Sequence, residues 1–347
     1  MKKKQIYTIA SLFSGCGGMD LGAEGGFQFL HKNYKKLPIK IVYSLDWEPS
    51  AAKIYDANFS LKCHVADIRN VPSKQIPNHD ILTGGFPCQS FSVVAQNPKR
   101  LGYKDEKGKL FFEMCRVIRS KKPKVFIAEN VKGILSANKK EAFPLIVKEF
   151  ENCGYYVTYA TLNSSHFGVP QKRERVFIIG FKNKSVFDDF KFPEPTTFNK
   201  PPILAQVLEN ESEIDNKYYF SERAIAGLQK TKHFTSMNKG RVQSLDKPCN
   251  TLGAHLAKVS INSTDPILLI NNRYRMFTPR EVARIQSFPE SFKLPGAKTA
   301  LYRALGNAVP PVLMWEVTNS VIEAMIQVKN LEQKRPRYKQ LELDLLV

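Results

Sequence analysis

The 347-residue sequence contains no apolar run near the roughly 20 residues that a membrane-spanning helix needs. Its basic start is followed by an apolar stretch, residues 5–13, that is too short and too interrupted for a secretory leader. The six cysteines stand singly with no C-x-x-C pair, which argues against a zinc ribbon and a disulfide scaffold. Internal repeats and low-complexity tracts are missing as well. These absences predict a globular protein of a reducing cytoplasm.

Acidic residues are few relative to basic ones. The chain has 32 Asp and Glu against 52 Lys and Arg, which gives a formal net charge of +20. Clustered Lys and Arg gain free energy by displacing condensed counterions, so this excess suggests nucleic acid or an anionic membrane as a partner. Charge alone leaves open a basic housekeeping enzyme with a solvated, lysine-rich surface. The length fits one large domain or two modest ones.

The first half of the chain alternates strand-like and helical segments. Apolar, β-branched runs predict strands at residues 6–13, 39–45, 62–65, 79–84, 125–128, 156–162 and 175–181. Helical spacing predicts helices from residue 19 and over residues 49–58, 110–119 and 144–152. This alternation is typical of an α/β fold with a doubly wound, mostly parallel sheet, whose last two strands pair as a hairpin-like edge.

The pattern changes after residue 181. Residues 192–202 contain four prolines and indicate a boundary, and the chain is then irregular and short-stranded to about residue 272. Thr278, Pro279 and Glu281 have the spacing of a capping box that opens a helix. A last amphipathic helix is predicted over residues 311–329. We expect three parts, namely a first domain over 1–189, a smaller, irregular, β-rich domain over 190–296, and a segment 297–347 that returns to the first domain.

A glycine loop, with Gly15, Gly17 and Gly18, joins the first predicted strand to the first helix. Nucleotide-like ligands approach the backbone closely at such a turn. The loop is neither G-x-G-x-x-G nor a Walker sequence, so a pyrophosphate cradle is not supported. A tight turn without a ligand is the alternative.

Two further strand ends favour a ligand. Asp46 and Trp47 end the second strand, where a carboxylate can accept both ribose hydroxyls and an indole can stack on a purine. Asp67 and Ile68 follow the next strand and can serve an exocyclic amine and a purine face, although such an Asp is more often a helix N-cap. Together these residues predict a nucleoside pocket without phosphates, which suits S-adenosylmethionine.

Reactive side chains follow the next two strands. Cys88 lies after two glycines and a proline at the carboxyl edge of the sheet, where a helix N-terminus can favour the thiolate that nucleophilic attack requires. Taken singly, a cysteine is most often an inert buried residue. Glu129 leaves an apolar strand into the same cleft and, if partly protonated, can donate to a ring nitrogen. The run of cations at residues 171–175 is either a solvated charge run or a phosphate contact.

Six motifs now show a resemblance to a known family. FSGCGG, GGFPCQSFS, ENV, QKRERVFIIG, REVARIQSFP and ALGNAVPP resemble the ordered motif series of the DNA (cytosine-5-)-methyltransferase family and extend from Phe13 to Pro311. The Pro-Cys and Gln-x-Arg-x-Arg blocks are highly specific. The resemblance implies the S-adenosylmethionine-dependent methyltransferase fold, in a prokaryotic restriction–modification enzyme whose domain over 190–296 recognises the target.

The resemblance also implies roles for individual residues. The S-adenosylmethionine pocket would be lined by Phe13, Gly15, Cys16, Gly17, Gly18, Asp46, Trp47, Asp67, Ile68, Pro87, Leu110 and Asn307. Cys88 would be the nucleophile, Glu129 would contact the target ring, and Arg173 and Arg175 would support the catalytic centre. Asp46 departs from the family, which more often has Glu at this position. The difference bears on the affinity for the cofactor and not on the assignment to the family.

The implied chemistry makes further expectations. Cys88 would attack carbon 6 of a cytosine that is flipped out of the duplex, and residues 89–108 would close over it. Residues 99–140 contain thirteen Lys or Arg and four Asp or Glu, where family members meet the DNA backbone. Base reading would fall to residues 190–272, which include Asn238, Arg241, Thr251 and Leu252. The expected partners are double-stranded DNA, bound as a monomer, and a cognate restriction endonuclease.

Three alternatives stay open at this point. A tRNA cytosine methyltransferase would use the same scaffold, although residues 190–272, the variable segment of about 80 residues, favour a reader of duplex DNA. A catalytically silent DNA-binding regulator would be expected to have lost Cys88, Glu129 or Arg175. A nicotinamide oxidoreductase lacks its phosphate fingerprint here.

Overall fold

The computed structural model describes residues 5–87, 109–230, 241–257 and 265–334. Within these ranges the strands are β1 (Tyr7–Leu12), β2 (Phe27–Phe29), β3 (Lys32–Tyr34), β4 (Ile39–Asp46), β5 (His64–Val65), β6 (Ile81–Gly84), β7 (Val125–Val131), β8 (Tyr156–Asn163), β9 (Gln171–Lys172), β10 (Glu174–Phe181), β11 (Cys249–Asn250), β12 (Leu268–Ile270) and β13 (Arg273–Arg275). The helices are α1 (Gly18–Glu24), α2 (Pro49–Asn58), α3 (Lys109–Lys121), α4 (Ala142–Asn152), α5 (Lys184–Asp189), α6 (Glu222–Lys230), α7 (Pro279–Ile285), α8 (Lys298–Asn307) and α9 (Pro311–Lys334).

Seven strands form the central sheet in the order β5-β4-β1-β6-β7-β10-β8. The pairs from β5 to β7 are parallel, while β10 runs antiparallel to both β7 and β8. The α/β, mostly parallel sheet is therefore confirmed, and so is the pairing of the last two predicted strands. The short β2–β3 hairpin was not predicted.

Apolar side chains fill both faces of the sheet. One cluster joins the β1 and β4 face to α1 and to the buried side of α9, and it extends to Leu204, Leu252 and Leu268 of the region after the proline-rich segment. The other cluster packs α3 and α4 on the opposite face. The burial of these surfaces is the main favourable contribution to folding.

The described C-terminal helices pack against elements of the first half of the chain. Thr278 caps α7, since its hydroxyl accepts from the Glu281 amide while the Glu281 carboxylate accepts from the Thr278 amide. Helix α9 packs along α1, where Gly22 leaves room for the Pro311 carbonyl, which a β-carbon would meet. The division into three domains stays a prediction, because the described part of 190–296 contains only short strands, single turns and two short helices, α6 and α7.

Candidate active site

The ends of four parallel strands meet at one edge of the sheet. Leu12, the last residue of β1, lies opposite Leu45 of β4 and Gly84 of β6, and Gly84 lies opposite Ala128 of β7. The residues that follow each of these positions are the glycine loop, Asp46, the segment 85–87 and Glu129. The topology thus brings together the predicted cofactor residues and the predicted catalytic carboxylate, at the edge where open parallel sheets bind ligands.

The glycine loop makes a tight left-handed path between β1 and α1. Phe13, Gly15 and Gly17 have φ values of 57°, 56° and 91°, in the region that favours glycine. A β-carbon on Gly17 would run into the Phe59 ring, whereas one on Gly15 would meet no described atom within 4 Å. The Gly15 backbone is therefore open to the close approach of a ligand.

Asp46 is held from two sides at the end of β4. Its Oδ2 accepts from the Gly15 amide at 2.7 Å and its Oδ1 from the Glu48 amide at 2.9 Å. Burial raises the pKa of Asp46, and these amide hydrogen bonds oppose the rise. Next to it the Trp47 side chain is 73% exposed, so its ring faces are free to stack. A fixed carboxylate beside an exposed indole fits a ribose and a purine.

The Asp67 carboxylate already has a cation as a partner. Arg69 Nε lies 3.0 Å from both carboxylate oxygens, and hydrogen bonding from Arg69 is the main reason that the pKa of Asp67 is lowered. Asp67 also caps the turn at Ile68–Asn70, which is the commoner role that the sequence left open. The Ile68 side chain is buried beneath it. A ligand amine would therefore share Asp67 with Arg69.

The remaining predicted cofactor residues include Cys16, Pro87, Leu110 and Asn307. Cys16 is buried with Sγ 3.7 Å from the Ala304 carbonyl, and burial raises the pKa of its thiol to about 12, so this cysteine is inert. Arg303 lies one turn before Asn307 on α8 and pairs with Glu48 at 2.8 Å. Because Glu48 directly follows Trp47, this ion pair holds α8 near Trp47. Pro87 and Leu110 adjoin the packed rings of Phe86 and Phe111, which are 5.3 Å apart.

Glu129 and Arg175 form a buried ion pair between neighbouring strands. Arg175 Nε lies 2.9 Å from Glu129 Oε1, and both side chains are about 10% exposed. Burial raises the pKa of Glu129, and the nearby cations of Arg175 and Arg173 limit the rise. A β-carbon on Gly85 would lie 3.1 Å from the other oxygen, Oε2. Glu129 thus stands beside the segment that leads into Cys88, which itself lies outside the described residues together with 89–108.

Arg173 is placed differently from Arg175. It is fully buried, and its Nη1 and Nη2 atoms donate to the carbonyls of Leu252, Gly306 and Ala308 at 2.9–3.0 Å. Burial and the neighbouring Arg175 hold the pKa of Arg173 well below its usual value. Its guanidinium thus ties β9–β10 to the variable segment and to the ALGNAVPP motif.

Three residues with clear roles had no assigned function in the sequence. Asn130 donates from Nδ2 to the Phe86 carbonyl at 2.8 Å, and its Oδ1 accepts from the Val131 amide. Gln171 accepts from the Leu252 amide at 2.9 Å and donates to Gln286 at 2.9 Å. All three stood inside quoted motifs, but the pairing of Gln171 with Gln286 joins positions 115 residues apart and could only have been found from the structure.

Comparison with known proteins decides the family. The model of the C-5 cytosine-specific DNA methylase family matches residues 7–323. The chain belongs to this family. Its activity is therefore that of a DNA cytosine-5-methyltransferase, and the methyl donor is S-adenosylmethionine. Within the described residues no helix is long and apolar enough to cross a membrane.

The relatives of this methyltransferase include several type II enzymes. It is 37% identical over 333 residues to the type II methyltransferase M1.ScrFI of Lactococcus lactis subsp. cremoris, covering 94% of this chain and 81% of the relative. It is 33% identical to the type II methyltransferase M.Bsp6I of Bacillus sp. strain RFL6, covering 92% of this chain and 100% of the relative. Among solved structures, the Entamoeba histolytica methyltransferase EhMeth superposes with a TM-score of 0.73 at 20% identity, covering 93% and 99% of the two chains, which shows a common fold.

Proposed function

We propose that this methyltransferase modifies one cytosine within a specific sequence of double-stranded DNA and thereby protects host DNA from a cognate restriction endonuclease. The type II relatives support the restriction–modification role. The observation that carries the chemistry is the Glu129–Arg175 pair beside Gly85, because it sets an oriented carboxyl group next to the segment that enters Cys88.

The reaction begins with the nucleophile. Carbon 5 of cytosine is too poor a nucleophile to take a methyl group directly, so the Cys88 thiolate forms a bond to carbon 6 and pushes the electron pair of the ring double bond toward carbon 5. The base must leave the stack for this attack, so the target nucleotide is flipped into the cleft. When bound, the cofactor would supply a methyl group on an electrophilic sulfonium, and the electron pair on carbon 5 would form the new bond to that methyl group as the methyl–sulfur bond breaks. Carbon 5 then loses its proton to a base, the double bond re-forms, and the bond between carbon 6 and Cys88 Sγ breaks.

Glu129 stabilises the charge that develops on the ring. Burial raises the pKa of this carboxyl and so favours its protonated form, which can donate to ring nitrogen 3. Arg175 holds one carboxylate oxygen, so Oε2 is the atom directed to the base. Arg173 acts indirectly, by fixing the backbone around the Glu129–Arg175 pair.

The cofactor site follows from the strand ends. The open Gly15 backbone would receive the methionine part, Asp46 the ribose hydroxyls, and Trp47 and Ile68 the adenine faces, with Asp67 at the exocyclic amine. Phe13, Pro87, Leu110 and Asn307 would close the sides. We further propose that residues 190–296 read the DNA sequence, that the enzyme acts as a monomer, and that it works in the bacterial cytoplasm on nucleoid DNA.

Two measurements test this function. Bisulfite sequencing of DNA from cells that express the protein should show methylated cytosine at one recurring sequence. Transfer of labelled methyl groups should occur to duplex DNA and not to total tRNA, and label on tRNA alone would overturn the DNA assignment.

A Cys88→Ser variant tests the covalent step. It should bind duplex DNA with unchanged affinity and show no turnover, because an alcohol is far less ionised than a thiol at neutral pH. Undiminished methylation by this variant would overturn the covalent mechanism.

A further inference from the structure

Buried polar side chains lie beneath the glycine loop, and the methyl-transfer steps do not use them. They are Ser11, Ser14, Asp20, Ser44 and Tyr55. Ser11 and Ser44 face each other in the β1–β4 ladder. Polar groups are costly to bury unless they are hydrogen-bonded, so a cluster of five needs a structural explanation.

The Ser14 hydroxyl is the centre of this cluster. Its Oγ lies 3.0 Å from Ser11 Oγ, accepts from Ser44 Oγ at 2.9 Å, and accepts from the Leu45 amide at 3.2 Å. A hydroxyl offers one donor and two acceptor positions, so the capacity of Ser14 is fully used. The Ser14 amide also donates to the Leu45 carbonyl at 3.0 Å.

These contacts tie the start of the loop to the end of β4. Leu45 directly precedes Asp46, and Gly15 directly follows Ser14 and donates to Asp46 Oδ2 at 2.7 Å. The Ser14 hydroxyl therefore anchors both partners of the Gly15–Asp46 hydrogen bond, in each case through the residue that directly precedes the partner. The loop has three residues with left-handed φ values and follows no regular ladder, so such ties determine its position.

The cluster also reaches the two helices that flank the loop. Tyr55 of α2 donates to Asp20 Oδ2 at 2.8 Å, and Asp20 lies in the first turn of α1, directly after the glycines. Tyr55 stacks on Phe59, whose ring fills the space that a Gly17 side chain would need. The polar cluster therefore joins β1, β4, α1 and α2 under the loop.

We propose that Ser14 is a positioning residue for the cofactor, because its hydroxyl holds the Gly15 backbone and the Asp46 carboxylate in the relative position that one ligand meets. This inference rests on the cofactor site proposed above. Ser14 itself stays buried beneath the loop and touches no reacting atom.

The test is equilibrium binding of S-adenosylhomocysteine, the demethylated product, which needs neither DNA nor turnover. Ser14→Ala should raise the Kd about five- to tenfold, which corresponds to the loss of roughly one buried hydrogen bond. In methyl-transfer assays the KM for S-adenosylmethionine should rise by a similar factor, while kcat at saturating cofactor stays within about twofold. Ser44→Ala, which removes only one partner of Ser14, should give a smaller rise.

Thr83→Val is the matched control. Thr83 is buried on β6 of the same sheet, and its hydroxyl has no hydrogen-bond partner among the residues that the structure describes. This variant should bind S-adenosylhomocysteine as the wild type does. Melting temperatures of all variants separate a loss of folding from a loss of affinity.

The outcomes are distinguishable. An unchanged Kd in Ser14→Ala, or equal weakening in Thr83→Val, overturns the positioning role while the proposed function stands. Failure of the wild type to bind S-adenosylhomocysteine would overturn the cofactor site and this inference with it. If Ser14→Ala does not fold, an unchanged Kd in Ser44→Ala overturns the positioning role.

Discussion

Asn130 holds the Phe86 carbonyl, two residues before Cys88, through a 2.8 Å hydrogen bond from its side-chain amide. The same side chain accepts from the Val131 amide, so it joins β7 to the segment that leads into the proposed nucleophile, Cys88. The residue that follows Glu129 therefore fixes the Phe86 backbone relative to this glutamate.

Asn130→Asp tests this link. The variant keeps an acceptor for the Val131 amide but loses the hydrogen bond that the side-chain amide donates to the Phe86 carbonyl, at a cost of about 1–3 kcal/mol. We expect kcat to fall at least tenfold, because small displacements of a nucleophile are costly to catalysis, with the Kd for S-adenosylhomocysteine little changed. Steady-state methyl transfer and binding measure the two. Full activity would show that Phe86 needs no such support.

Glu129→Gln should separate binding from catalysis. The amide keeps the size of the carboxyl and can still face Arg175, but it has no acidic proton for the ring nitrogen. We expect duplex affinity to be retained and kcat to fall by about 10²–10³, the usual loss when one stabilising donor is removed. Wild-type kcat should fall as pH rises through the raised pKa of Glu129, since the protonated form is the donor. An equal kcat in the Glu129→Gln variant and the wild-type enzyme would exclude this role.

Arg173→Ala should act on stability first. The substitution leaves the carbonyls of Leu252, Gly306 and Ala308 without their donor, so we expect a loss of several kcal/mol in the free energy of unfolding, measured with urea. Lys172→Ala, one residue earlier and exposed, is the control and should stay within about 0.5 kcal/mol of wild type. Equal stability of the two variants would show that the hydrogen bonds of Arg173 to these carbonyls do not stabilise the fold.

Asp20→Asn should change how stability depends on pH. Burial raises the pKa of Asp20 from 3.8 to about 6, so the folded state binds this proton more tightly than the unfolded state. Its contribution is then most favourable below pH 4 and is lost as pH rises to 6, at a cost of at most about 3 kcal/mol. Asn cannot ionise, so the variant should gain melting temperature over wild type at pH 7.5 and not at pH 4. A gain that is equal at both pH values would exclude titration of Asp20 as the cause.

The sequence predicts the alternating elements well because each has a local signal. The capping box at Thr278 was found from residues within a few positions of one another, and strands β8 and β10 were each found from their own apolar run. The β2–β3 hairpin was missed because its strands have three residues each and its turn carries no Asn-Gly or Asp-Gly signal. The hydrogen-bond partners of Arg173 could not be predicted for another reason, because they are 79–135 residues away in sequence.

The candidate site likewise contains residues that the sequence predicts and contacts that it does not. Residues at strand ends, such as Asp46 and Glu129, are brought to one edge because the carboxyl ends of parallel strands coincide. That Arg69 occupies the Asp67 carboxylate, and that Ser14 gathers its neighbours beneath the loop, follows from side-chain packing that a motif does not encode.

Arg173 and Gln171 both bind the variable segment through its main-chain atoms. Arg173 holds the Leu252 oxygen and Gln171 the Leu252 nitrogen, groups that every non-proline residue presents. Exposed side chains in that segment can therefore be exchanged without loosening these two anchors, whereas Leu204, Leu252 and Leu268 also pack into the core. With the proposed role of this segment in reading DNA, a scaffold anchored in this manner would let specificity change while the catalytic residues stay in place.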